Sequence, residues 1–170
     1  LTQDQLRTAF AEYDAILPTV SDSLPAAAFP EGTARTRLLG NFGVGFSHID
    51  TEAARRLGIT VTNTPGVLTD CTADIAMTLL LGVARRAGEG ERELRSGNWT
   101  GWRPTHMIGS RVSGKTVGII GMGRIGKATA RRAHFGFGMD VVFYNRPKVD
   151  DDETRAMAAR QLPTIGDVLA

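Results

Sequence analysis

Apolar residues recur at helical spacing through Ile75, Ala76, Leu79, Leu80 and Val83, which predicts a long helix from Thr69 to about Arg95. Asp70 or Thr72 is positioned to cap its start. Upstream, residues 4–12 read as a helix and Asp14–Pro18 as a short strand closed by proline. Ser21–Gly32, with Pro25 and Pro30, reads as loop with one helical turn, and Arg37–Leu39 as a second strand. Thr51–Leu57 is helical and ends at Gly58, the position where a left-handed residue closes a helix. Ile59–Thr62 is β-branched and alternating, which makes a third strand. Downstream of the long helix, Ser96–Ser113 has no period. Lys115–Ile120 is an apolar run of strand length, Gly121–Gly126 is glycine-rich, Lys127–His134 is helical and Asp140–Tyr144 is a strand. Helical acidic residues from Asp150 lead to a last short segment, Thr164–Ala170. Short strands alternating with helices give an α/β chain with parallel sheets. Asn63-Thr-Pro-Gly66 breaks the pattern, so one domain is expected over residues 1–68 and a second over 69–170.

Composition narrows the class. With 42% hydrophobic and 22% charged residues in 170, the chain is neither disordered nor low in complexity. No apolar run reaches the ~20 residues of a bilayer span, and the N-terminus has no signal-peptide pattern. One cysteine, Cys71, forms no internal disulfide and no metal cluster, which suits a reducing, cytoplasmic setting. Residues 1–85 carry 6 basic and 9 acidic side chains, whereas residues 86–170 carry 14 and 9. The basic second half suits phosphate handling, but its arginines are scattered without aromatic interleaving, so a nucleic-acid surface is not expected.

Gly121-Met-Gly-Arg-Ile-Gly126 follows a strand and opens a helix, the context required of a dinucleotide-binding loop. In that role Gly121 permits the tight turn and Gly123 admits a pyrophosphate close to bare backbone. Gly126 lets the helix approach the strand, and the helix N-terminus supplies free N–H groups. The next strand ends in Asn145-Arg146, where an NAD site places a carboxylate on the ribose hydroxyls. A missing acid beside an arginine favours a 2′-phosphate, hence NADP(H) over NAD(H).

The blocks GVGFSHID, TNTPGVLTDCTADIAMTLLL, GKTVGIIGMGRIGKATARRA and FGMDVVFYNR resemble the D-isomer-specific 2-hydroxyacid dehydrogenases, and most closely their glyoxylate/hydroxypyruvate reductase branch. The resemblance implies a flavodoxin-like substrate domain and a Rossmann coenzyme domain, both incomplete here, with the active site between them. It implies that Val44 and Gly45 hold the substrate carboxylate, and that Gly123, Arg124 and Ile125 form the pyrophosphate loop. Asn145 and Arg146 take the ribose-discriminating position, and Trp102 resembles an aromatic that reaches across a homodimer into the partner's substrate pocket, or else anchors the dimer arm without touching substrate. Thr72 and Asp74 fall at the start of the hinge helix near the nicotinamide. The family's catalytic arginine, glutamate and histidine have no match in residues 1–170, and His48, His106 and His134 match none of these roles. The resemblance therefore implies a portion of a longer enzyme that reduces glyoxylate or hydroxypyruvate, with only two Rossmann strands present and no turnover of its own. The alternatives are a phosphoglycerate- or formate-dehydrogenase-like enzyme, or a corepressor-like protein that senses the dinucleotide.

Overall fold

The computed structural model describes residues 2–170. The chain divides into two compact units between Val67 and Leu68.

The first unit holds helix α1 (Gln3–Glu12), strands β1 (Ala15–Ile16) and β2 (Leu38–Gly40), helix α2 (Thr51–Arg56) and strand β3 (Thr60–Thr62). The strands form a parallel sheet in the order β1-β2-β3, with Ala15 opposite Leu38 and Leu38 opposite Thr60. Each helix start is chemically marked. Thr2 and Gln5 form a reciprocal capping box on α1, and the Asp50 carboxylate accepts from Ala53 N–H at 2.8 Å on α2. Gly58, at φ 69°, closes α2 as the sequence leads one to expect. Phe10, Leu24, Leu39 and Ala54 are fully buried in the core, and the Phe10 and Phe29 rings lie 4.9 Å apart.

The second unit holds α3 (Thr69–Ala84), α4 (Ala87–Arg95), β4 (Thr116–Ile120), α5 (Arg124–Arg131), β5 (Asp140–Tyr144), α6 (Asp152–Ala156), β6 (Arg160–Gln161) and α7 (Ile165–Leu169). Its sheet is parallel in the order β4-β5-β6, with Thr116 opposite Asp140 and Val142 opposite Arg160. Val117, Ile119, Val141 and Phe143 of the sheet pack with Met122, Ala130, Ala133 and Met139. Alanines on α5 let it lie close to α3, and Arg132 ties the pair by donating to Asp74 at 2.7 Å and Asp70 at 3.0 Å. After α5 the backbone widens into a π-helical turn over Arg132–Gly136.

Four expectations change. The long helix is two helices, because Arg86 adopts a left-handed conformation (φ 56°, ψ 35°) and the Ala84 carbonyl accepts from Ser110 N–H at 2.8 Å. A third strand, β6, joins the second sheet; with only two residues it carries no readable period. Neither Asp70 nor Thr72 caps α3, since Leu68 holds the N-cap position and the Thr72 hydroxyl donates back to the Leu68 carbonyl at 2.8 Å. The apolar stripe of α3 is split as well. Ala73 and Met77 are buried, while Ile75, Leu79 and Val83 are exposed. Among the described residues, no helix is long and apolar enough to cross a membrane.

Candidate functional site

The glycine loop runs from the end of β4 into α5, which begins at Arg124, three residues earlier than periodicity indicates, with Gly123 as its N-cap. Gly121 sits at φ 98°, a conformation that disfavours side chains, and its N–H donates to the Tyr144 carbonyl at 2.8 Å. At Gly123 a Cβ would meet nothing within 4 Å, so the space beside the helix N-terminus is open. At Gly126 a Cβ would collide with the Gly121 carbonyl oxygen, so this glycine is what lets the helix close on the loop. Arg124 and Ile125 lie on the exposed first turn. These features fit a dinucleotide: an unobstructed cradle, free helix N–H groups and a positive dipole end. A nicotinamide dinucleotide held here would supply a hydride, and the residues of the loop would hold its pyrophosphate.

Asn145 is half-buried, and both ends of its side-chain amide are engaged. Its Oδ1 accepts from Met122 N–H at 3.1 Å and its Nδ2 donates to the Pro147 carbonyl at 3.2 Å. Arg146 and Lys148 are exposed, and among the described residues neither has an ion-pair or hydrogen-bond partner. Gln161 of β6, which sequence reasoning did not single out, donates to the Asn145 and Pro147 carbonyls and accepts from Val149 N–H. Lys127 was likewise missed. It pairs with Asp151, whose carboxyl it holds down at about 2, helped by the Thr154 N–H at 3.0 Å. That pair joins α5 to the cap of α6.

In the first unit, Val44 and Gly45 lie in the turn after β2. Buried Asn41 organises this turn by donating to the Gly43 carbonyl at 3.1 Å and the Gly45 carbonyl at 2.9 Å. Asn63 donates to the Val44 carbonyl at 2.8 Å. With three successive carbonyls engaged, the N–H groups of Val44 and Gly45 have no protein acceptor among the described residues. Backbone donors of this kind suit an anion such as a carboxylate. The only sequence signal for Asn41 is its place two residues before the Gly43-Val-Gly45 turn.

The three histidines are each engaged. His48 Nε2 donates to Asn41 Oδ1 at 3.0 Å, and His134 Nδ1 donates to the Met139 carbonyl at 3.0 Å. His106 lies 2.7 Å from Glu93, which also accepts from Arg103 at 3.5 Å. This cluster lines an open cavity of about 450 Å³ with Trp99, Trp102 and Leu94. Trp102 itself is 81% exposed. Thr72 and Asp74 lie on α3, where Asp74 is taken by Arg132. Cys71 is exposed, and no cluster of His, Cys, Asp or Glu fit for a metal occurs among the described residues.

Comparison with known proteins agrees with this geometry. Residues 77–170 match the D-isomer specific 2-hydroxyacid dehydrogenase, NAD binding domain, which indicates a nicotinamide cofactor. A glyoxylate reductase from Thermococcus kodakarensis is 46% identical over 146 residues, covering 84% of this chain and 43% of that protein. A glycerate dehydrogenase from Hyphomicrobium methylovorum is 36% identical over 159 residues, covering 94% and 49%. A solved glyoxylate reductase from Paecilomyes thermophila superposes with a TM-score of 0.78 at 28% identity, over 99% of this chain and 51% of that one. A Thermus thermophilus protein gives 0.85 at 37% identity, over 99% and 51%. The chain thus spans about half the length of the relatives it matches. With a parallel three-stranded sheet behind a Gly121–Gly126 loop and more than half its residues matched, the chain belongs to the D-isomer specific 2-hydroxyacid dehydrogenase family.

Proposed function

We propose that this chain is the cofactor- and carboxylate-binding part of an NADP(H)-preferring oxidoreductase that reduces glyoxylate or hydroxypyruvate to the 2-hydroxy acid. The observation that carries the cofactor preference is the end of β5. No carboxylate stands where a ribose-binding acid would, and Arg146, one residue beyond Asn145, is a cation with no partner among the described residues. Gly121, Gly123, Arg124, Ile125 and Gly126 hold the pyrophosphate, with Thr72 nearer the nicotinamide end. The N–H groups of Val44 and Gly45 hold the carboxylate of the 2-oxo acid. None of His48, His106 and His134 is assigned the proton transfer, because each already serves a local contact. Exposed Ile75, Leu79 and Val83 on α3, with Trp102 beyond α4, support a homodimer in which Trp102 meets the partner's substrate. The relatives named glyoxylate reductase and glycerate dehydrogenase support the substrate class.

The test is oxidation of NADPH by the full-length enzyme with glyoxylate and with hydroxypyruvate, compared with NADH at equal concentration. The reading requires turnover of both acids and a higher kcat/KM with NADPH. Turnover of 3-phosphoglycerate or formate alone would move the substrate assignment, and a preference for NADH would remove the cofactor assignment.

A further inference from the structure

The segment that carries Arg146 and Lys148 is held by a single side chain from the neighbouring strand. Gln161 Nε2 donates to the Asn145 carbonyl at 2.9 Å and to the Pro147 carbonyl at 3.2 Å, while Gln161 Oε1 accepts from Val149 N–H at 2.9 Å. The residues on both sides of Arg146 and on both sides of Lys148 are thereby anchored. Asn145 Nδ2 adds a further bond to the Pro147 carbonyl, and Asn145 Oδ1 links the segment to the glycine loop at Met122. Gln161 is half-buried at the end of β6, with its own backbone in register with Phe143, so the side chain is aimed by the sheet. Every hydrogen bond its amide makes goes to the backbone of residues 145–149.

We infer that Gln161 is a specificity-determining positioning residue: it fixes the Asn145–Val149 backbone so that Arg146, with Lys148 beside it, meets a 2′-phosphate at little cost in ordering. This rests on the cofactor reading given above. A long cation on a loose loop loses conformational freedom when it pairs with an anion, whereas one on a fixed backbone loses less. The residue reads the phosphate only through Arg146 and makes no claim on the part of the dinucleotide that NADH and NADPH share.

The test measures NADPH and NADH dissociation constants for the full-length enzyme by fluorescence of the bound reduced cofactor. The proteins are the wild type, Gln161→Met, Gln161→Asn, Arg146→Ala and the Gln161→Met/Arg146→Ala double variant. Gln161→Met matches the length of glutamine without its polar atoms; Gln161→Asn keeps the amide, shortens it by one methylene, and serves as the milder second variant. The expected result is an NADPH affinity about 5- to 20-fold lower in Gln161→Met, a smaller loss in Gln161→Asn, and an NADH affinity within about twofold of wild type. In the Arg146→Ala background, Gln161→Met should cost no further NADPH affinity, because the residue acts through that cation. Equal losses for both cofactors in both Gln161 variants, no loss in either, or losses that add to Arg146→Ala would overturn the inference. A wild type that binds NADH as tightly as NADPH overturns the cofactor reading and this inference with it. A selective wild type with a silent Gln161 overturns the inference alone.

Discussion

The side-chain oxygen of Asn145 accepts a hydrogen bond from the backbone N–H of Met122 at 3.1 Å, joining the end of β5 to the glycine loop after β4. Asparagine therefore does two things at this position. It leaves out the carboxylate that would repel a 2′-phosphate, and it pins the glycine loop proposed above to hold the pyrophosphate.

These two roles separate by substitution. Asn145→Asp retains an acceptor for Met122 N–H but adds a charge, so NADPH affinity should fall about tenfold or more while NADH affinity holds or rises. Asn145→Ala removes the tie itself and should weaken both cofactors alike, by about 1 kcal/mol. Parallel titrations with the two reduced cofactors check this. A uniform loss in Asn145→Asp would mean that charge at this position is not read.

Gly126 tests the loop's geometry. A Cβ there meets backbone, the Gly121 carbonyl, which cannot swing aside as a flexible side chain would. Gly126→Ala should destabilise the second unit by at least about 2 kcal/mol. Thermal unfolding followed by circular dichroism should register a drop in Tm of about 8 °C or more. Gly123→Ala, where a Cβ meets open space, should leave Tm nearly unchanged and lower dinucleotide affinity instead.

In the first unit, buried Asn41 holds the Gly43 and Gly45 carbonyls and accepts from His48. Asn41→Ala should cost about 1–3 kcal/mol, since it leaves buried polar groups without partners. Urea unfolding measures the loss. His48→Ala should cost less, because His48 is more exposed and contributes one of the three bonds.

The Lys127–Asp151 pair gives a pH signature. Lys127 foremost, with the Thr154 N–H, holds the folded Asp151 carboxyl at about 2, against an ordinary value of 3.8. A lowered carboxylate pKa stabilises the fold above the unfolded value, and that stabilisation is lost as pH falls from about 4 toward 2. Lys127→Met removes most of it. The difference in urea midpoint between wild type and Lys127→Met should be constant from about pH 7 to 5 and shrink as pH approaches 2. A difference independent of pH would assign the effect to packing of the lysine stem.

How much of this was legible in the sequence depended on the range of the interaction. Gly121–Gly126 and its flanking strand and helix were readable, because turn, cradle and close approach each demand glycine at a fixed place. The end of α2 at Gly58 was readable for the same reason, whereas its cap at Asp50 was not singled out. The break at Arg86 was not. A left-handed arginine has no sequence mark, and the carbonyl it frees is taken by Ser110, 26 residues beyond Ala84. β6 is too short to show alternation, so Gln161 stayed hidden although it braces the loop bearing Arg146. Asn145 was noticed for the charge it lacks; its bond to Met122 is tertiary and spans 23 residues.

Binding of 2′-phospho-ADP-ribose and ADP-ribose to residues 1–170, measured by calorimetric titration, tests the cofactor assignment most directly. These ligands probe the adenosine half of the site, which the first strands of a dinucleotide fold contact, and they need no proton donor. The 2′-phosphorylated ligand should bind more tightly by about 1.5–3 kcal/mol, the range of a charge-assisted hydrogen bond, and Arg146→Ala should abolish the difference. Equal affinities, or tighter binding of ADP-ribose, would show that Asn145-Arg146 does not select a phosphate and that the protein is not built for NADP(H).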